Sequence, residues 1–228
     1  VKIKKLHRWD VNFAQAKEIQ LGLAGEVMAD NNEDINPLLV AGVDVSFPRL
    51  QGIAWGVVVV LSYPALDIVE VEQAEARPAI PYIPGLLSFR ECPVILAACE
   101  KLYNTPDLVL VDGQGIAHPR RLGLAAHLGL FLDVPTIGCA KSILCGRHEP
   151  VGEEVGSHAE LVDKGEVIGA ALRTKVGTKP IYVSIGHKIN LVSALYWVMK
   201  SCHGYRLPEP TRLAHLAAGG NLSLKDGC

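Results

Sequence analysis

Between residues 38 and 75 apolar side chains crowd into three short runs, at 38–47, 53–62 and 67–75, rich in valine and divided by turn-forming residues. Runs of that length and composition predict strands. The connections at 48–52 and 63–66 are short enough for hairpins, so an antiparallel meander is expected. Upstream, Asn12 followed by Gln15 forms a capping-box pattern. Phe13, Ala16, Ile19, Leu23 and Val27 then recur at helical spacing, and the polar stretch 30–37 ends that helix. Beyond the proline-rich segment 81–85 the pattern changes. A helix is predicted over 90–103, an apolar strand at 108–111, a helix from about 120 to 132 and a short strand at 136–139. That alternation is the signature of parallel strands with crossover helices. Two further strands are expected at 165–175 and 181–185 and a helix at 190–199. The tail, 217–228, carries little pattern and is expected to fray.

Three antiparallel strands, a helix, a parallel strand, a helix and another strand is the element order of the ribonuclease H-like fold. The fold class is therefore α/β: a mixed sheet of a three-strand meander plus parallel strands, flanked by helices. One domain spanning 1–228 is expected from the length. A flavodoxin-type nucleotide-binding module is excluded by the leading meander. A crossover through the 90–103 helix returns the 108–112 strand parallel to the first strand and beside it. Their carboxyl ends then lie together, where open sheets place their sites.

Composition narrows the class without choosing a function. Hydrophobic residues make up 49% of the chain and mean hydropathy is +0.24, which suits a sheet covered on both faces. The longest apolar run, 56–61, is far too short to span a membrane. The basic start VKIKKLHRWD is followed by no hydrophobic stretch, so no secretory signal is read there. Six cysteines form no CxxC pair and no zinc spacing, which fits buried thiols in a reducing cytoplasm. A net charge of −2 gives no global sign of a polyanionic partner.

The acids give more. Asp44 lies inside GVDVSF, where alternation puts Gly42, Asp44 and Ser46 on one face and Val43, Val45 and Phe47 on the other. Asp is disfavoured inside strands, and its small same-face neighbours leave space beside the carboxylate. Asp112 ends the run DLVLVDG, an apolar strand that stops abruptly at an acid. Asp-Gly alone reads equally as a turn. Two carboxylates at the ends of neighbouring parallel strands, however, call for a hard cation between them. Glu91, in LLSFRECP, is the third candidate. Ser88 and Glu91 have capping-box spacing, but a helix starting there would carry Pro93 inside it. A start at Pro93 leaves Glu91 at the threshold, free to ligate. No nucleophile elbow G-x-S-x-G is present, and Gly113-Gln114-Gly115 lacks the third glycine of a dinucleotide fingerprint. Cation-assisted hydrolysis at phosphate is the economical reading.

GVDVSF, PYIPGLLSFRE, DLVLVDGQGIAHPRRLG, DVPTIGCAKS and GYRLPEPTRLAH together resemble the endonuclease V family, in that family's order and over residues 42–215. The segment 149–165, the N-terminal helix and the tail match weakly. The resemblance implies a ribonuclease H-like nuclease that uses Mg²⁺, or Mn²⁺ in its place, and recognises deaminated bases, chiefly hypoxanthine. It implies a cut at the second phosphodiester bond 3′ of the lesion, leaving 3′-hydroxyl and 5′-phosphate ends. Asp44, Glu91 and Asp112 fall on the family's metal positions, and Lys141 and His215 on residues near that centre. Tyr82 falls on the wedge tyrosine, and Leu87, Gly113 and Gly123 on backbone lining the pocket for the extruded base. His118, close to Asp112 in sequence, is a candidate substrate-side residue, and Arg120 and Arg121 are candidate phosphate contacts. Glycine at 113 and 123 would let main-chain N–H groups approach a base oxygen, or would serve plain turn chemistry. The expected partner is DNA containing deaminated bases, with inosine-containing RNA the alternative, no membrane, and the chain acting as a monomer. A non-catalytic nucleic-acid-binding protein would be expected to lack one of the three acids, and all three are present.

Overall fold

A computed structural model of the chain describes residues 1–29, 35–47 and 52–222. The expected meander forms as β1 (Leu39–Ser46), β2 (Ala54–Ser62) and β3 (Ile68–Ala76), paired antiparallel in sequence order. Of the two hairpin connections, 63–66 is closed by Ser62 N–H donating to the Asp67 carbonyl, whereas 48–51 falls outside the described residues. Ahead of the meander, α1 (Phe13–Ala24) carries both reciprocal bonds of the Asn12–Gln15 capping box. It ends one turn earlier than its apolar spacing suggests, so Val27 lies beyond it.

After the meander come α2 (Leu87–Cys99), β4 (Leu108–Val111), α3 (Leu124–Leu132) and β5 (Thr136–Ala140). β4 pairs parallel with β1 on one side and with β5 on the other, as a crossover requires. Two starts differ from expectation. α2 begins at Leu87, with neither a break at Pro93 nor a side-chain cap from Ser88. The burial of Phe89, Cys92 and Ile95 outweighs the roughly 3 kcal/mol that an interior proline costs. α3 begins at Leu124 rather than near 120, because Arg121 is held at φ 56°, outside any right-handed helix.

The chain then adds β6 (His158–Asp163), β7 (Glu166–Leu172), β8 (Ile181–His187), α4 (Leu191–Lys200) and α5 (Glu209–Ala218). β6 was not expected; its alternation is short and its outer residues are exposed. The sheet order is β3-β2-β1-β4-β5-β8-β7-β6. Alternation in β4 decides the layering. Val109 and Val111 pack with α2 and α3 on one face, and Leu108 and Leu110 with α4 on the other. α5 covers Val57, Val59 and Leu61 of β2 through Leu213 and Ala214, on the face opposite α2. It runs to Ala218, into the tail expected to fray, whose residues 223–228 fall outside the described ones. No helix among the described residues is long and apolar enough to cross a membrane.

Candidate active site

The parallel register pairs Val43 of β1 with Val111 of β4, so the next residues, Asp44 and Asp112, stand side by side at the carboxyl ends of the two central strands. β5 continues the pattern: Gly138 pairs with Val111, and Lys141, just past the strand, forms an ion pair with the Asp112 carboxylate. His215 arrives from the far end of the chain on α5, its Nδ1 2.7 Å from Asp44 Oδ2. One ligand atom each from Asp44, Asp112 and His215 lie within 4.8 Å of one another. The acids and the lysine expected to share a centre are thus brought together, and His215 joins them more closely than Glu91 does.

Glu91 projects from α2 into the same region. Burial, then the negative charge of Asp44, push its carboxyl up to about 8, with Asp112 adding to the rise and Arg90 opposing it. Its carboxylate accepts no hydrogen bond among the described residues. Asp44 is raised as well, chiefly by burial, with the His215 bond working against the rise. A half-buried cluster of acids whose charges repel is a site short of positive charge. Hard oxygen donors with one imidazole suit a cation of the Mg²⁺ or Mn²⁺ kind. The residues present therefore fit the metal. Glu91 occupies neither position foreseen for it, since it sits in the second turn of α2 rather than at a cap or a threshold.

Beside the cluster lies a pocket of about 320 Å³ whose wall includes Asp112 and Lys141. Tyr82, Leu87, Gly113, His118 and Gly123 all line it, so every residue expected near a base faces one cavity. Tyr82 stands at its rim, 66% exposed. Neither Gly113 nor Gly123 has a positive φ, which removes left-handed turn chemistry as their reason. At Gly123 a Cβ would collide with the Gln114 and Gly115 carbonyls, so close approach requires glycine there. The two glycine N–H groups are already engaged, Gly113 with the Val111 carbonyl and Gly123 with that of Gly115. They are not the donors a base oxygen would meet. The N–H of Leu124, which also lines the pocket as the first residue of α3, has no acceptor among the described residues.

His118 does not approach Asp112 through a hydrogen bond. Its Nε2 donates to the Gly85 carbonyl at 3.0 Å and its Nδ1 accepts the Arg120 N–H at 3.1 Å. Burial and the neighbouring Arg120 charge push it down to about 4, so it is neutral. Arg120 donates to the same carbonyl and to Gln20 Oε1, both at 2.6 Å. Arg121 pairs with Asp163 and Glu166 of the β6–β7 hairpin. Both arginines are thus committed within the protein rather than offered to phosphate. Sequence reasoning missed Gln20 and Gln114, whose positions in the wall depend on contacts distant in sequence. It also missed Ile143 and Leu144, exposed by 40% and 44% on the pocket's outer lip. An apolar pair in a loop two residues after Lys141 was the signal available for them.

A mixed sheet of this order, with acids gathered at the carboxyl ends of β1 and β4, defines a nuclease of the ribonuclease H-like fold. The chain belongs to the endonuclease V family, whose profile matches residues 22–216. It is 53% identical over 218 residues to an endonuclease V of Dehalococcoides mccartyi, covering 96% of this chain and 97% of that one. Among solved structures it resembles endonuclease V from Streptomyces avermitilis, with a TM-score of 0.89, 37% identity and coverage of 96% and 97% of the two chains. It also resembles the Ciona intestinalis enzyme solved with a 24-mer DNA containing an inosine followed by a ribo-adenosine, with a TM-score of 0.79, 28% identity and coverage of 91% and 96%.

Proposed function

We propose that this nuclease acts in DNA repair, recognising a deaminated base, chiefly hypoxanthine, and hydrolysing the second phosphodiester bond 3′ of it. The products carry 3′-hydroxyl and 5′-phosphate ends. The observation that carries the reading is the shared wall: Asp112 and Lys141 belong both to the acid cluster and to the pocket. A base lodged in the pocket is thereby tied to a reacting phosphate nearby on the same strand. Asp44, Glu91 and Asp112 would hold Mg²⁺, or Mn²⁺ in its place, with His215 adjoining. When bound, the cation supplies Lewis-acid stabilisation of phosphate charge and acidifies attacking water.

The chain's own residues do the rest. Lys141 brings an ammonium group to the site, where it offsets negative charge developing on the phosphoryl oxygens. His215, bonded to Asp44 through Nδ1, keeps Nε2 to take a proton from the attacking water. Tyr82 fills the stack that the base leaves. The open Leu124 N–H at the start of α3 suits the 6-oxo group of hypoxanthine, which adenine lacks. The test is cleavage of matched oligonucleotides carrying one inosine in DNA or in RNA, with Mg²⁺ and with excess chelator. Cutting of the DNA strand at the second bond 3′ of inosine, only with the cation, supports the reading. Undiminished cutting in chelator would sink it, and exclusive cutting of RNA would make the enzyme an inosine-specific endoribonuclease.

A further inference from the structure

Behind the pocket runs a line of three hydrogen-bonded side chains that the proposed chemistry does not use. His7 Nδ1 is 2.8 Å from the Arg8 carbonyl, His7 Nε2 is 2.7 Å from His127 Nε2, and His127 Nδ1 is 3.0 Å from Ser88 Oγ. Ser88 lines the pocket. His127 and Ser88 are almost wholly buried. The rings of Trp9, Phe89 and Phe131 lie 4.5–5.7 Å from the two imidazoles or from one another and enclose the His127 end of the line, while His7 is half-buried.

Hydrogen-bond polarity along this line follows from one end. A carbonyl only accepts, so His7 Nδ1 carries a proton. In a neutral imidazole His7 Nε2 is then bare and accepts, which puts the proton on His127 Nε2 and leaves His127 Nδ1 bare. The Ser88 hydroxyl therefore donates inward to His127. We propose that the His7–His127–Ser88 relay fixes Ser88 as a hydrogen-bond acceptor on the pocket wall, where it reads the ring N1–H of a 6-oxopurine. Adenine has a bare N1 and cannot make that bond. The assignment rests on the reading of the cavity as a base pocket and deepens it. His7 and His127 are the positioning residues and Ser88 the one that touches the base. A cationic His7 would reverse the relay and turn Ser88 into a donor. Burial lowers both histidines, His127 the more, so the neutral arrangement holds at neutral pH.

The experiment measures equilibrium binding, in Ca²⁺, of single-stranded DNA oligonucleotides that differ only in one inosine or adenine. The proteins are wild type, Ser88→Ala, His127→Phe and the double variant. Wild type should prefer inosine, and each single variant should lose on the order of tenfold of that preference. The double variant should lose no more than either, because the two residues act through one bond. A damaged fold would weaken both oligonucleotides alike and leave the ratio unmoved. The ¹⁵N shifts of the His127 ring in wild type give a second readout that does not depend on the variants folding; a bare Nδ1 and protonated Nε2 are expected. A wild type that prefers inosine while a Ser88→Ala protein of wild-type Tm keeps the full ratio overturns the relay alone, as does a protonated His127 Nδ1. Loss of the ratio in Gln114→Leu but not in Ser88→Ala would move the acceptor to Gln114, whose buried Oε1 has no partner among the described residues. A wild type with no preference for inosine overturns the pocket reading and the relay with it.

Discussion

Two acids in this site illustrate different debts to their surroundings. Asp112 is already paired with Lys141, and its place at the end of β4 was legible from the apolar run it terminates. Asp112→Asn should abolish cutting while inosine-DNA binding in a gel shift stays within about threefold of wild type, since the pocket's other walls are untouched. Complete loss of binding by a folded variant would count against the assignment. Glu91 was legible as an acid of interest but not in its setting, because its environment is made by β1 and β4, distant in sequence. With its carboxyl raised from 4.5 to about 8, the folded metal-free protein holds a proton that the unfolded chain releases above pH 4.5. Folding then binds more protons than unfolding between those values, so stability falls as pH rises from about 4.5 to 8. A bound cation reverses the penalty. In chelator, Tm should decline by several degrees across that window. Mg²⁺ should raise it more at pH 8 than at pH 5, and Glu91→Gln should flatten the decline. A Tm that rises with pH through the window in wild type would refute the account.

At the scale of elements, the segment 81–86 has the most to explain. Pro81 and Pro84 make it stiff, which the sequence announced. What anchors it was not legible, because the anchors come from two other places distant in sequence. Gln20 of α1, His118 and Arg120 all donate to the single Gly85 carbonyl. Gly85 itself sits at φ 78°, a conformation that suits glycine. Tyr82 is therefore an exposed ring on a clamped support, able to stand in a gap between bases without retreating. Tyr82→Ala should reduce cleavage of inosine in fully paired duplex on the order of tenfold more than in single-stranded DNA, because extrusion costs a few kcal/mol only in the duplex. Equal losses on both substrates, with a lower Tm, would assign Tyr82 to packing. The same clamp explains why α3 starts late. Residues 118–121 are spent on holding Gly85 and the β6–β7 hairpin, and periodicity alone gave no warning of that.

At the scale of the whole molecule, the site depends on how the last helix lies on the first strand. Alternation in β1 turns Gly42, Asp44 and Ser46 toward one face, and α5 meets all three. Ser46 Oγ donates to the Ala218 carbonyl at 2.6 Å, Asp44 bonds His215, and a Cβ on Gly42 would collide with the Pro210 carbonyl. The face of β1 could be read from its sequence. Its partner could not, because 171 residues separate Asp44 from His215 and nothing local links them. Gly42 thus sets how closely α5 approaches, and with it whether His215 reaches Asp44. Gly42→Ala should cost about 1–3 kcal/mol of stability through overpacking, several degrees in Tm. Its rate of cutting, measured well below Tm, should fall about as far as that of His215→Ala, because the lifted helix takes His215 with it. Gly22→Ala supplies the contrast: it lies on α1 with nothing near its Cβ position. It should gain roughly 0.5–1 kcal/mol from helix propensity and cut at the wild-type rate. If Gly42→Ala loses stability but cuts normally below its Tm, the helix has shifted without moving His215, and the coupling argued from β1 to α5 is wrong.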